Sequence, residues 1–264
     1  MDTNKNSYTI IYATILVVFV AAVLAFVSSS LKDKQQKNIN IEKQMNLLAS
    51  VGLGAEANTA TNKTAYIETE FDKAIKKSIV VNGLGEVVNT ADANIAQSEA
   101  FKISTAEQYA AMKNISNLPD SEQQAIKKEL KLPIFICTLP NGEQAYIFSA
   151  YGPGLWGPIW GWIALGKDFN TIIGTKFDHK GETPGLGAEI ATATFSNQFT
   201  GKEIFSNGTL TSILIVKGGA TAGSKNEVDA ISGGTITSKA LETTIQSWLS
   251  FYAPYIEAQK ANNN

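Results

Sequence analysis

The strongest hydrophobic signal lies near the start of the chain. From Ile10 to Val27 there are 18 residues without a charge, just enough for a helix to cross a bilayer. The run is longer than a signal-peptide core, and no Ala-x-Ala site follows it, so a retained anchor is expected. From Leu31 to about Ser50, Ile39, Ile41, Met45, Leu47 and Leu48 recur among Lys, Gln and Glu, which predicts a juxtamembrane helix. Val51-Gly-Leu-Gly breaks it. The polar stretch from Asn58 to Thr64 reads as loop, Thr69 to Lys77 as a short helix, and Ile79-Val-Val-Asn-Gly as a strand entering a turn. Thr105 to Lys113 and Ser121 to Leu130 have the spacing of amphipathic helices. Residues 91–104 carry no readable period.

From Pro133 the pattern changes to short strands and glycine turns. Ile134 to Leu139 and Gln144 to Ser149 flank Asn141-Gly142, a tight-turn dipeptide, and predict a β-hairpin. Near the C-terminus, Ala240, Leu241, Ile245, Trp248, Leu249 and Tyr252 return at helical spacing. They follow Asp229-Ala-Ile-Ser232-Gly233-Gly234-Thr235-Ile-Thr237-Ser238-Lys239, a glycine turn that empties into a helix. Thr235, Thr237 or Ser238 could cap that helix. A helix start flanked by glycines is also a natural seat for a phosphate, with Lys217, Lys225 and Lys239 close in sequence. On spacing alone, a capped helix after a turn accounts for the same residues.

Composition narrows the chemistry. A length of 264 residues allows one large or two small domains, and a net charge of -2 without a basic stripe gives no case for nucleic acid. One Cys and one His exclude a self-contained iron–sulfur cluster, a c-type haem or a Cys/His zinc centre. Any redox chemistry must then come from an organic cofactor. Cys137 falls in an apolar strand and reads as packing. His179 has no carboxylate partner in a motif and reads as a loop histidine.

Two further glycine-rich stretches stand out. Tyr151-Gly-Pro-Gly-Leu-Trp156-Gly-Pro contains a formal Gly-x-Gly-x-x-Gly at Gly152, Gly154 and Gly157. A dinucleotide fingerprint should open a helix, which Pro158 and Gly161 interrupt. Trp156, Trp160 and Trp162 are better read as aromatic surface with at least one ring in the core; an exposed ring could lie beside a flat ligand. The second stretch is Gly181-Glu-Thr183-Pro-Gly185-Leu186-Gly187. Its Pro-Gly is a turn signal, and its glycines permit close approach of backbone to a ligand.

Asp-x-x-Ser-Gly-Gly-Thr resembles the flavinylation motif of the FMN-binding domain family, with Gly234 where the family usually has Ala. Gly-Leu-Trp156-Gly-Pro, Gly-Glu-Thr183-Pro-Gly-Leu186-Gly and Ser232-Gly-Gly-Thr235 occur in the order found in the C subunits of the sodium-translocating NADH:quinone oxidoreductases. The resemblance is close from about Gln144 to Tyr252 and looser over the anchor. It implies an FMN held by phosphodiester on Thr235, with Trp156 and Leu186 flanking the ring. Thr183 and the backbone of Gly185, Leu186 and Gly187 would contact it, and Ser232, Gly233, Gly234 and Thr237 would shape the phosphate turn. Lys217 is added as a phosphate neighbour from its charge.

The same resemblance implies an α+β chain. A single N-terminal transmembrane helix (tail and anchor, 1–30) leads to a membrane-proximal segment (31–132). An extracytoplasmic FMN-binding domain (133–264) follows, with mainly antiparallel sheet and flanking helices. The implied role is an electron relay in a Na+-pumping oxidoreductase, not NADH catalysis by this one polypeptide alone. The implied partners are the other subunits, the lipid bilayer and a flavin transferase using FAD and Mg2+. The location would be the bacterial inner membrane, with the domain on the periplasmic face. Lys32, Lys34, Lys37 and Lys43 after the helix, against Lys5 before it, would by the positive-inside rule put the domain in the cytoplasm; the family placement is preferred. Two alternatives are the G subunit of the related ferredoxin-linked electron-transport complex and a non-redox membrane-anchored structural protein.

Overall fold

A computed structural model describes residues 6–263; Lys5, counted in the charge balance, lies outside them. Helix α1 (Asn6–Ala49) is one continuous 44-residue helix, so the anchor and the juxtamembrane segment are not separated by a break. Its apolar N-terminal part is exposed, with Val17 and Phe26 at 66% and 74%. Among the described residues it is the one helix long and apolar enough to span a membrane.

The compact unit begins at Gln44. After a 3-10 turn at Ala55–Asn58 come α2 (Lys63–Ala74), β1 (Ile75–Val81), β2 (Val87–Ala91), α3 (Glu99–Lys102), α4 (Thr105–Met112) and α5 (Asp120–Glu129). The helix expected at Thr69–Lys77 thus starts earlier and ends sooner. Asn62 caps it by accepting from the Ala65 amide at 3.1 Å, a signal hidden inside a run read as loop. Ile75 already belongs to the sheet, paired with Cys137. Residues 91–104 hold the end of β2, a 3-10 turn at Ile95–Gln97 and α3, whose Phe101 amide donates to the Ser98 cap.

Strands β3 (Leu132–Thr138), β4 (Gln144–Pro153), β5 (Pro158–Leu165) and β6 (Ile172–His179) complete a six-stranded sheet in the order β2-β1-β3-β4-β5-β6. Every pairing in it is antiparallel. The β3–β4 turn is the expected one, with Gly142 at φ 83°. The Trp-rich stretch is a loop holding Trp156 followed by strand β5, so the helix that a dinucleotide fingerprint needs is not there. Then follow α6 (Ala193–Asn197), the ribbon β7 (Phe205–Ser206) with β8 (Thr209–Leu210), and the parallel pair β9 (Leu214–Val216) with β10 (Glu227–Asp229). The C-terminal helix is α7 (Thr235–Asn263).

Helix α7 lies on one face of the sheet, burying Leu241, Ile245, Trp248, Leu249 and Tyr252 in one core with residues such as Phe148 and Ile163. Gly152 of β4 is needed for this approach, since a Cβ there would collide with Thr244 Oγ1. Trp248 donates from Nε1 to the Tyr151 carbonyl at 2.6 Å. Tyr252 donates to the Pro133 carbonyl at 2.8 Å and leaves Ser149 to donate to its oxygen at 3.0 Å. A second aromatic set runs Phe71–Phe101–Phe135–Trp162 in edge contacts, which places Trp162 in the core.

Two measurements test this packing. Tyr252→Phe removes a hydroxyl with two buried partners, and should cost about 1–3 kcal/mol in urea denaturation. Cys137 is fully buried, and burial followed by the charge of Glu70 pushes its thiol up to about 12. A thiol reagent at a pH of about 8 should therefore leave Cys137 unmodified until denaturant unfolds the domain.

Candidate functional site

Three loops and one helix end build the site. The first loop, Gly154 to Gly157, joins β4 to β5 and is closed by the Gly154 amide donating to the Gly157 carbonyl at 2.7 Å. It holds Trp156 in solvent, 69% exposed. Trp160 is half-buried and Trp162 is in the core, so Trp156 is the indole of the three with an open face for a ligand.

The second loop follows β6. Pro184 and Gly185 occupy the middle of a turn in which the Leu186 amide donates to the Thr183 carbonyl at 3.1 Å. Gly185 has φ 75°, the left-handed value the third position of a type II turn requires. Thr183, Gly185 and Leu186 are exposed and Gly187 is buried. Leu186 leans over Gly233: a Cβ on Gly233 would lie 2.5 Å from Leu186 Cδ2. The Gly187 amide also lies close to Gly234, 3.3 Å from where its Cβ would be. Loop two and the Ser232–Gly234 turn are thus pressed together, at Gly233 through a left-handed conformation that favours glycine.

The third loop leads from β10 into α7. The Gly234 amide donates to the Ile231 carbonyl at 3.0 Å, and Gly233 has φ 73°. Ser232 and Gly233 are exposed, Gly234 is buried, and Thr235 stands exposed as the first residue of α7. The hydroxyls expected to cap the helix act elsewhere. Thr237 is buried and donates to Glu182 Oε2 at 2.6 Å, while Ser238 accepts from the Ile231 amide at 3.1 Å. The first-turn amides have no acceptor within the helix, by helix geometry, and the dipole there favours an anion.

The expected cations divide. Lys225 pairs with Glu203 at 3.0 Å, and Lys239 pairs with Glu242. Lys217 is exposed directly after β9. The preceding carbonyl, of Val216, accepts from the Ala230 amide at 2.9 Å, so the parallel ribbon brings Lys217 level with the approach to the Ser232 turn. Among the described residues no hydrogen bond joins Lys217 to Thr235.

Two buried carboxyls lie behind this surface, and neither stands out as more than a loop or helix glutamate in the sequence. Glu182 is 4% exposed. It accepts from the Trp156 amide through Oε1 at 2.9 Å and from Thr237 through Oε2, and its own amide donates to His179 Nδ1 at 3.2 Å. Glu242 accepts from the Ile215 amide at 2.7 Å and fastens α7 to β9. Beside Thr235 runs a groove of about 740 Å³ between α7 and the α4 region, lined among others by Tyr109, Met112, Pro153, Thr235, Ile236 and Phe251.

These residues fit a flavin mononucleotide. They offer an exposed hydroxyl at a helix N-terminus for the phosphate end, and an exposed indole and leucine for the faces of a ring. The fit rests on tight glycine packing. Gly187→Ala would drive a Cβ into Thr237 Oγ1 and to 2.5 Å from Glu182 Oε2, and should cost about 1–3 kcal/mol. Gly185→Ala meets nothing within 4 Å and should cost only the left-handed backbone strain, about 1–2 kcal/mol. Thermal melts of both variants check this, with Trp156 emission expected to change only for Gly187→Ala.

The profile of the FMN-binding domain family matches residues 154–250, which span all three loops. The C subunit of the Na(+)-translocating NADH-quinone reductase of Vibrio anguillarum is 29% identical over 248 residues, covering 94% of this chain and 91% of that protein. The crystal structure of the corresponding C subunit from Parabacteroides distasonis is 34% identical, with a TM-score of 0.68 over 86% of this chain and 96% of that one. That of NqrC from Shewanella oneidensis is 26% identical, with a TM-score of 0.63 over 84% and 98%. With its antiparallel sheet, its N-terminal apolar helix and the three glycine loops of the site, the chain belongs to the NqrC family, the C subunits of the Na(+)-translocating NADH-quinone reductases.

Proposed function

We propose that this chain is the electron-carrying flavin subunit of a membrane Na+-pumping NADH:quinone oxidoreductase, with FMN joined through a phosphodiester to Thr235. The observation that carries the reading is Thr235 itself: an exposed hydroxyl at the first residue of a 29-residue helix, directly after Ser232-Gly233-Gly234. The family membership supports the electron-carrier role, and the names of the relatives support NADH, quinone and sodium as concerns of the whole complex.

A bound flavin supplies one- and two-electron redox chemistry, with its potential set by stacking, hydrogen bonds and burial. The chain's own residues do the rest. Thr235 provides the ester oxygen, and the free amides of the first turn of α7 receive the phosphate oxygens. Gly233 and Gly234 keep the backbone low enough for that approach. Trp156 and Leu186 offer apolar faces to the ring, and Thr183 with the Gly185–Gly187 backbone offers polar atoms along the second loop. Lys217, at the end of β9, adds positive charge on the phosphate side. A covalent link fixes the cofactor without requiring tight reversible binding, in keeping with the open surface around Thr235.

Maturation would require a flavin transferase using FAD and Mg2+, and operation would require the other subunits of the complex. Helix α1 is read as the single-pass anchor in the bacterial inner membrane, with the flavin domain on the periplasmic face where the transferase works.

Intact mass of the chain, co-expressed with an active flavin transferase, tests the attachment. The wild type should gain one FMN less a water, and Thr235→Ala should gain nothing. Flavin retained by Thr235→Ala would move the site, and a wild type without flavin would overturn the covalent reading. For orientation, cysteines introduced on the domain surface should react with an impermeant maleimide in intact cells. Full protection of those cysteines would place the domain inside.

A further inference from the structure

Glu182 sits between two segments it does not belong to. One of its carboxyl oxygens takes the amide of Trp156, at 2.9 Å, in the β4–β5 loop. The other takes the hydroxyl of Thr237, at 2.6 Å, two residues into α7 from Thr235. The carboxyl fits between them because the flanking chain is glycine. A Cβ on Gly154 would lie 2.5 Å from Oε1, and one on Gly187 would lie 2.5 Å from Oε2. Burying a carboxyl is costly unless its oxygens find donors, and here each oxygen has one, from the β4–β5 loop and from the first turn of α7. Surface-loop glutamates need no such arrangement.

We infer that Glu182 is a positioning residue. It sets the place of Trp156 relative to Thr235, and through that the contact between the indole and a ring tethered to Thr235. The inference rests on the Thr235 reading, since without a tethered flavin there is nothing for Trp156 to be positioned against. Geometry also distinguishes this role from simple cohesion. The bond to Trp156 is made to its backbone amide, so the side chain stays free for a ligand while its base is fixed. The bond to Thr237 occupies a hydroxyl on the first turn of α7, which leaves Thr235 outward. A glutamine at 182 keeps the length and one acceptor for Trp156, and its amide can donate to a rotated Thr237 hydroxyl. An alanine keeps neither bond.

The test uses full-length protein flavinylated by co-expressed transferase, with intact mass confirming attachment and flavin fluorescence yield as the readout. An indole against the ring quenches flavin emission, so Trp156→Phe should brighten it severalfold. Glu182→Ala should brighten it by a comparable factor with flavin still attached, and Glu182→Gln should stay near wild type. In a Trp156→Phe background, Glu182→Ala should add little, which a general loosening of the fold would not reproduce. Thr237→Val, which removes one of the two bonds, should give intermediate brightness and serves if Glu182→Ala does not fold. Wild-type brightness in Glu182→Ala, or in Thr237→Val where the alanine variant is not recovered, overturns the inference. So does equal brightening by Glu182→Ala with and without the indole. A wild type that gains no flavin by mass fails the Thr235 reading itself, and this inference falls with it.

Discussion

One buried carboxyl ties together segments that lie far apart in the sequence. Glu182 is 26 residues from Trp156 and 55 from Thr237, and those two bonds close the loops against one another. Each is a bond between an unlike pair of segments, so its loss would free a loop and also strand a polar atom in the interior. The glycines around it make sense as a consequence. Gly154 and Gly187 give up their side chains to the volume that the carboxyl and Thr237 occupy. A backbone with ordinary residues at those places could not close the site.

Behind this latch, α7 is held firmly. Glu242 grips β9 through the Ile215 amide, Trp248 grips β4 through the Tyr151 carbonyl, and Tyr252 reaches the Pro133 carbonyl on β3. These bonds are spaced along one helix that begins at Thr235, so the exposed threonine is the end of a strut and not the tip of a free loop. The hairpin between β1 and β2 adds a contact further along, with Gly85 so close that a Cβ would lie 2.7 Å from the Tyr255 amide.

How much of this the sequence discloses depends on the range of the interaction. Periodic elements are legible: the apolar N-terminal helix, the β3–β4 hairpin around Gly142, α4, α5 and the apolar face of α7 all follow from hydrophobic spacing and turn residues. Short irregular pieces such as residues 91–104 are not, because a short 3-10 turn and a one-turn helix offer no period to read. The start of α2 was missed because its cap, Asn62, is one polar residue among several. At the site, the three glycine motifs marked where the surface lies, but not what holds it. That Glu182 faces inward and Thr183 outward cannot be seen in a string where both are polar neighbours. Thr237 and Ser238 looked like caps because local chemistry permits it; tertiary partners claimed their hydroxyls instead.

The groove beside Thr235 has walls from distant parts of the chain. Its α7 side, from Thr235 to Ser250, lies within the residues matched by the FMN-binding family, while Tyr109, Met112, Lys113, Ile115 and Ser116 precede them. Substitutions on the α4 wall can therefore reshape the groove while Ser232, Gly233, Gly234 and Thr235 stay as they are.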